Sequence, residues 1–128
     1  MISKKRCSDC PYYVNHNVEK LVFSLYYVVE GKYSLDSCST EDKLAFLDQM
    51  RLLSHRTWEE VISAHRHGVG SEKIEQSSIK QTIPNYITPD TKLLALRFSG
   101  KKPMVGFRDK NIFYPVWFDV DFKLYNHG

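Results

Sequence analysis

Residues able to do chemistry crowd into the last third of the chain. Between positions 92 and 110 stand six basic residues (Lys92, Arg97, Lys101, Lys102, Arg108 and Lys110) and one acid, Asp109. The chain then ends Asp119-Val120-Asp121-Phe122-Lys123-Leu124-Tyr125-Asn126-His127-Gly128. A tyrosine and a histidine beside arginines suffice to cleave RNA without a metal ion. A base takes the 2′-hydroxyl proton, an arginine stabilises the pentavalent phosphorane, and an acid protonates the leaving oxygen. Arg97, Arg108, Tyr125 and His127 are therefore candidate catalytic residues. The competing reading is plainer: a frayed tail beside a solvated basic face. Asp119 and Asp121 lie on one side of an extended segment, where either can pair with Arg97 or Arg108. Two aspartates alone do not make a hydrolase.

Two further clusters carry weaker signals. Cys7-x-x-Cys10 with His16 is half of a zinc motif, and Cys38 or another histidine would have to complete the four ligands. A structural or oxidisable thiol pair is the simpler account, so neither a metal nor a cofactor is expected. His65-Arg66-His67-Gly68-Val69-Gly70 joins basic side chains to glycines that let backbone approach a phosphate. No Gly-Lys-Ser/Thr follows, which excludes a nucleotide P-loop. A helix C-terminus, with His65 and Arg66 complementing the dipole, explains the same hexamer.

The elements that must position these groups are legible in outline. Leu21–Val29, rich in β-branched and aromatic residues and followed by Gly31, reads as a buried strand. Ser39 or Thr40 caps a helix with Glu41 and Asp42 in its first turn and an apolar stripe of Leu44, Phe46, Leu47, Met50 and Leu53. Thr57 with Glu60 is a capping box for a second helix through Trp58, Val61 and Ile62, stopping near His67-Gly68. Only Ser54-His55-Arg56 separates the two, so they form a helical hairpin. Residues 65–91 read as a long connection of the functional or mobile kind, with a short helix somewhere in 72–80. Leu93–Phe98, Met104–Arg108 and Ile112–Phe118, divided by turns containing Gly, Asp and Asn, predict an antiparallel meander. Pro115 places its strand at an edge or at a bulge.

The order β-α-α-β-β-β describes a single α+β domain, with a helical hairpin packed on one face of a small antiparallel sheet and residues 1–20 as a polar, Cys-containing extension. Strand alternation assigns Leu94, Leu96, Phe98, Val105, Phe107, Tyr114, Val116 and Phe118 to the core face. Arg97, Arg108, Phe113 and Trp117 then share the other face beside Ala95 and Gly106. Arginines interleaved with aromatics are how single-stranded RNA is often held. Lys101, Lys102, Lys110, Phe113, Trp117, His65, Arg66 and His67 are accordingly candidate RNA-binding residues.

Composition sets the bounds. At 128 residues the chain forms one domain large enough to bury a core without staples. No apolar run reaches the length of a membrane span, the start lacks a signal-peptide core, and three cysteines do not make a disulfide framework. A cytoplasmic protein with no membrane contact is expected. The formal charge of +3 is modest but uneven: residues 1–64 hold eight basic and nine acidic groups, and 65–128 hold ten and six. A phosphate-bearing partner suits the second half.

Leu96-Arg97-Phe98-Ser99-Gly100-Lys101-Lys102 and Val105-Gly106-Phe107-Arg108-Asp109-Lys110, in that order of elements, resemble the RelE/ParE superfamily of bacterial toxins, which includes RelE, YoeB and HigB types. The resemblance covers the last 40 residues or so. It implies a RelE-like topology and a toxin that cleaves messenger RNA, free or on the ribosome, neutralised by an antitoxin over the same basic face. It further implies phosphate contact by Arg97, Lys102 and Arg108, and an acid/base role for Tyr125 and His127. Leu93 and Ala95 occupy positions often basic in the RelE type, and the chain is longer and less basic than such toxins. From another class comes the alternative of a non-enzymatic inhibitor or immunity-type module that binds a protein partner through the basic-aromatic face.

Overall fold

The computed structural model describes residues 14–64 and 70–127. Cys7, Cys10, His65, Arg66 and His67 lie outside them, and so do the expectations placed on those residues. The fold is α+β: a five-stranded mixed sheet packed with two helices. The elements are β1 (Val22–Phe23), α1 (Thr40–Leu53), α2 (Trp58–Ser63), β2 (Glu72–Ile74), β3 (Leu93–Ser99), β4 (Lys102–Asp109) and β5 (Ile112–Phe118).

Both helices start where side chains can satisfy their first amides. The Ser39 hydroxyl accepts from the Asp42 amide at 3.1 Å. At α2 the capping box is complete: Thr57 Oγ1 accepts from the Glu60 amide at 3.1 Å, and Glu60 Oε1 accepts from the Thr57 amide at 2.9 Å. Helix α2 ends at Ser63, before the expected His67-Gly68 stop. The stripe on α1 is rotated from expectation. Phe46 and Leu53 are buried, whereas Leu44 and Leu47 are 61% and 56% exposed. Asp42 takes a buried position at the start of that inner stripe.

The meander forms as expected, with two-residue turns at Gly100-Lys101 and Lys110-Asn111. Gly100 and Lys110 both take positive φ, near +58° and +59°, as hairpin turns of this length require. The remaining topology corrects the purely antiparallel reading. In the order β1-β5-β4-β3-β2, the first strand pairs parallel with β5. It is only two residues long; beyond Phe23 the expected strand gives way to irregular chain. Within 65–91 an extra strand, β2, pairs with β3, and the expected short helix is a single 3-10 turn at Gln76–Ser78.

Two bulges change which side chains meet. Arg97 lies opposite Pro103, not Met104, and Phe98 is left over between Arg97 and Ser99. Pro103 has no amide to donate, and a bulge accommodates that loss. A second irregularity follows Val105, so that Val105 faces Trp117 and Gly106 faces Pro115. This is the bulge that Pro115 called for. A one-residue shift exchanges the faces of everything beyond it.

The sheet is consequently buried on both sides. On the helical side, Leu96, Phe98, Met104, Phe113 and Phe118 pack with Phe46, Leu53, Trp58 and Val61. On the opposite side, Leu93, Ala95, Val105, Val116 and Trp117 pack with Ile74, Ile79, Ile87, Leu124 and Tyr125. The open face expected to carry Arg97, Arg108, Phe113 and Trp117 together is therefore absent. Phe113 belongs to the helical core and Trp117 to the other. Among the described residues, no helix is long and apolar enough to cross a membrane.

Candidate functional site

A cleft of about 340 Å³ opens at the end of the sheet where β3 turns into β4. It is lined by Arg97 from β3, Lys101 from the turn, Glu72 from the edge strand β2, and Phe122, Tyr125 and His127 from the C-terminal segment. Three of the four candidate catalytic residues, together with Lys101, thus converge although 30 positions separate the first from the last.

Asp119 organises the C-terminal wall. It is fully buried, and three donors hold its carboxylate. Oδ1 accepts from the Lys123 amide at 2.9 Å, and Oδ2 from the Leu124 amide at 3.1 Å. His127 Nε2 lies 2.9 Å from Oδ2. With Nε2–H donating to Asp119, Nδ1 is the nitrogen left with a lone pair. Sequence reasoning paired Asp119 with an arginine; its short-range turn with the residues that follow is what brings it to His127 instead.

The histidine ring also meets two aromatic rings. Tyr125 lies against it at 4.0 Å between centroids, and Phe122 meets it edge-on at 5.2 Å. Phe122 has φ near +59°, an uncommon backbone state for a bulky residue. The segment is tied to the body of the protein by Lys80, whose amide donates to the Leu124 carbonyl at 2.7 Å and whose ammonium donates to Asn126 Oδ1 at 3.1 Å. Burial, with the charges of Glu72 and Asp119, pushes the Tyr125 hydroxyl well above its ordinary value. It stays protonated, and so is a donor.

The other expected site residues stand elsewhere. Arg108 lies on the helical side of the sheet with its guanidinium 4.1 Å from the centre of the Trp58 ring, and its Nε donates to the Lys110 carbonyl at 3.0 Å. Burial lowers its pKa. Lys102 is engaged by Asp42, at 3.0 and 2.9 Å to the two carboxylate oxygens, and Ser99 adds a bond to Oδ1 at 2.8 Å. Lys110 is exposed in the turn at the opposite end of β4. Nine residue steps along the strand put it roughly 30 Å from Lys101. Phe113 and Trp117 are too deeply buried to stack on a base.

Glu72 and Phe122 were missed. Neither carries a local signal, since Glu72 reaches the cleft only through the pairing of β2 with β3. Among the described residues no cluster of His, Cys, Asp and Glu is placed to hold a metal ion. No family model, curated protein or solved structure matches the chain.

Proposed function

We propose that the protein is an endoribonuclease of the bacterial toxin type, acting on messenger RNA through the Arg97–Lys101–Tyr125–His127 cleft. The observation that carries this reading is the convergence of two cations, a protonated tyrosine and an Asp119-held histidine in one cleft. His127 takes the 2′-hydroxyl proton at Nδ1. The freed oxygen attacks phosphorus, and Arg97 and Lys101 neutralise the charge that builds on the non-bridging oxygens. Tyr125 gives its proton to the departing 5′-oxygen, a far stronger base than the phenolate left behind. The products are a 2′,3′-cyclic phosphate and a 5′-hydroxyl. The resemblance to RelE-type toxins supports a cytoplasmic protein, a ribosome-bound substrate and a cognate antitoxin partner.

The test is cleavage of a messenger RNA by the purified protein, with and without ribosomes, and identification of the product ends. Cyclic phosphate ends that disappear in Arg97→Ala and His127→Ala are the expected result. Intact RNA under both conditions overturns the proposal. A second reading, a protein-binding module, rests not on the basic-aromatic sheet face expected from the sequence but on the exposed apolar side chains of Leu44 and Leu47 along α1.

A further inference from the structure

Away from the cleft, Tyr26 to Glu30 form an aromatic corner. The Tyr26 ring is edge-on to that of Tyr27, with centroids 4.8 Å apart and planes at 83°. Tyr27 in turn stacks on Tyr86 at 4.4 Å and 25°. Ring planes at nearly right angles thus bound a groove of about 500 Å³, closed by Val28, Val29, Pro84 and Glu30. The arrangement is braced from beneath. Tyr27 also meets Tyr114 at 5.2 Å and Phe107 at 5.5 Å, and the Tyr86 hydroxyl donates to the Tyr27 carbonyl at 3.0 Å.

The chemistry of this corner is selective. Among the described residues, Glu30 is the only charged group lining it, and Glu30 also lines the neighbouring groove that holds Asp36. No lysine or arginine among the described residues lines either groove, although the whole chain is basic. Aromatic faces attract cations, and a carboxylate at the rim repels a phosphate. A purely apolar ligand gains nothing from the carboxylate. Exposure narrows the source further: Tyr26 is 81% exposed and Tyr86 42%. Rings so open cannot enclose a free small molecule as ligand pockets normally do, but they can flank a side chain that a larger partner presents.

We propose that this corner is a docking site for a basic side chain of a protein partner, an arginine or lysine, whose charged head lies in the groove lined by Tyr26, Tyr27 and Tyr86 and against Glu30. The site is independent of the RNA-cleaving cleft and stands or falls separately from it.

The experiment uses the full chain with labelled tyrosine rings, observed by NMR. The probes are N-acetyl-arginine methylamide, its neutral isostere N-acetyl-citrulline methylamide, and tetramethylammonium. The arginine probe should shift the Tyr26, Tyr27 and Tyr86 rings saturably in the millimolar range, at least fivefold more tightly than citrulline. Glu30→Gln and Tyr26→Ala should each weaken it three- to tenfold. Both positions are exposed, so the fold survives in either variant. Equal binding of arginine and citrulline, or no effect of Glu30→Gln, overturns the proposal. Tighter binding of tetramethylammonium than of the arginine probe overturns the assignment to a partner's side chain in favour of a free quaternary ammonium. RNA cleavage is unchanged in both variants whichever way the titration falls.

Discussion

His127 shows how a single side chain is held in place by its neighbours. Its Nε2 is committed to Asp119, which fixes the ring and the tautomer, and Tyr125 and Phe122 pack against it. With His127 as the base of the proposed cleavage, replacing it with alanine should lower that activity about 10²–10⁴-fold, the usual contribution of a positioned base, while thermal unfolding stays within a few degrees of wild type. Asp119→Ala is predicted to behave differently. It removes the acceptor of two backbone amides as well as the partner of His127, one of them on the fully buried Leu124. Stability should fall by about 2–4 kcal/mol, since buried donors are left unsatisfied; urea unfolding of the two variants side by side separates the roles. Asp42 makes a third case. Its bond from the Lys102 ammonium, more than any other interaction, holds its carboxyl below the ordinary carboxylate value, against the opposing effect of burial. A depressed folded pKa means stability that is complete above about pH 4 and is lost as acid carries the pH down through the folded value. Asp42→Asn should therefore cost about 1–3 kcal/mol at pH 7. The gap to wild type should close progressively in unfolding experiments below pH 4; a gap that is constant with pH would count against the ion pair.

At the scale of elements, what was legible in the sequence is what is decided locally. Ser39, Thr57 and Glu60 bond to backbone amides within three residues of themselves, so both helix starts could be read from residue types alone. The two hairpin turns were legible for the same reason. Register was not, because it depends on what an opposing strand cannot do. Pro103 lacks a donor and Pro115 meets Gly106, and each produces a bulge that exchanges faces. Arg97, Tyr125 and His127 could be picked out by residue type, but the cleft that unites them depends on β2 and the C-terminal segment covering that face of the sheet. Gly106 gives this account a sharp test. A Cβ there would lie 1.9 Å from the Tyr114 carbonyl oxygen and 2.8 Å from Pro115 Cα, both backbone atoms that cannot rotate away. Gly106→Ala should cost at least about 3 kcal/mol or prevent folding. Leu47→Ala, on the exposed side of α1, should change stability by no more than about 0.5 kcal/mol.

Over the whole molecule, the sheet separates the two arginines of its strands. The second half of the chain is basic, yet that charge does not form one surface. Arg97 faces the cleft among Lys101, Tyr125 and His127, whereas Arg108 lies over Trp58 on the helical side. The covering of the second face is what removes the open basic face expected from the sequence. Residues 72–91 and the C-terminal segment supply Ile74, Ile79, Ile87, Leu124 and Tyr125 to that core without any helical or strand period that would announce it. The separation has a measurable consequence. If Arg97 and Lys101 each meet one phosphate of a single strand, the logarithm of RNA affinity should fall with the logarithm of salt with a slope of about −1.4. Arg97→Ala should reduce that slope by about 0.7. Arg108→Ala should leave the slope unchanged and instead lower unfolding stability by about 0.5–2 kcal/mol, through the lost contact with Trp58. Equal loss of slope in the two variants would show both arginines on one RNA path, which the division of the sheet forbids.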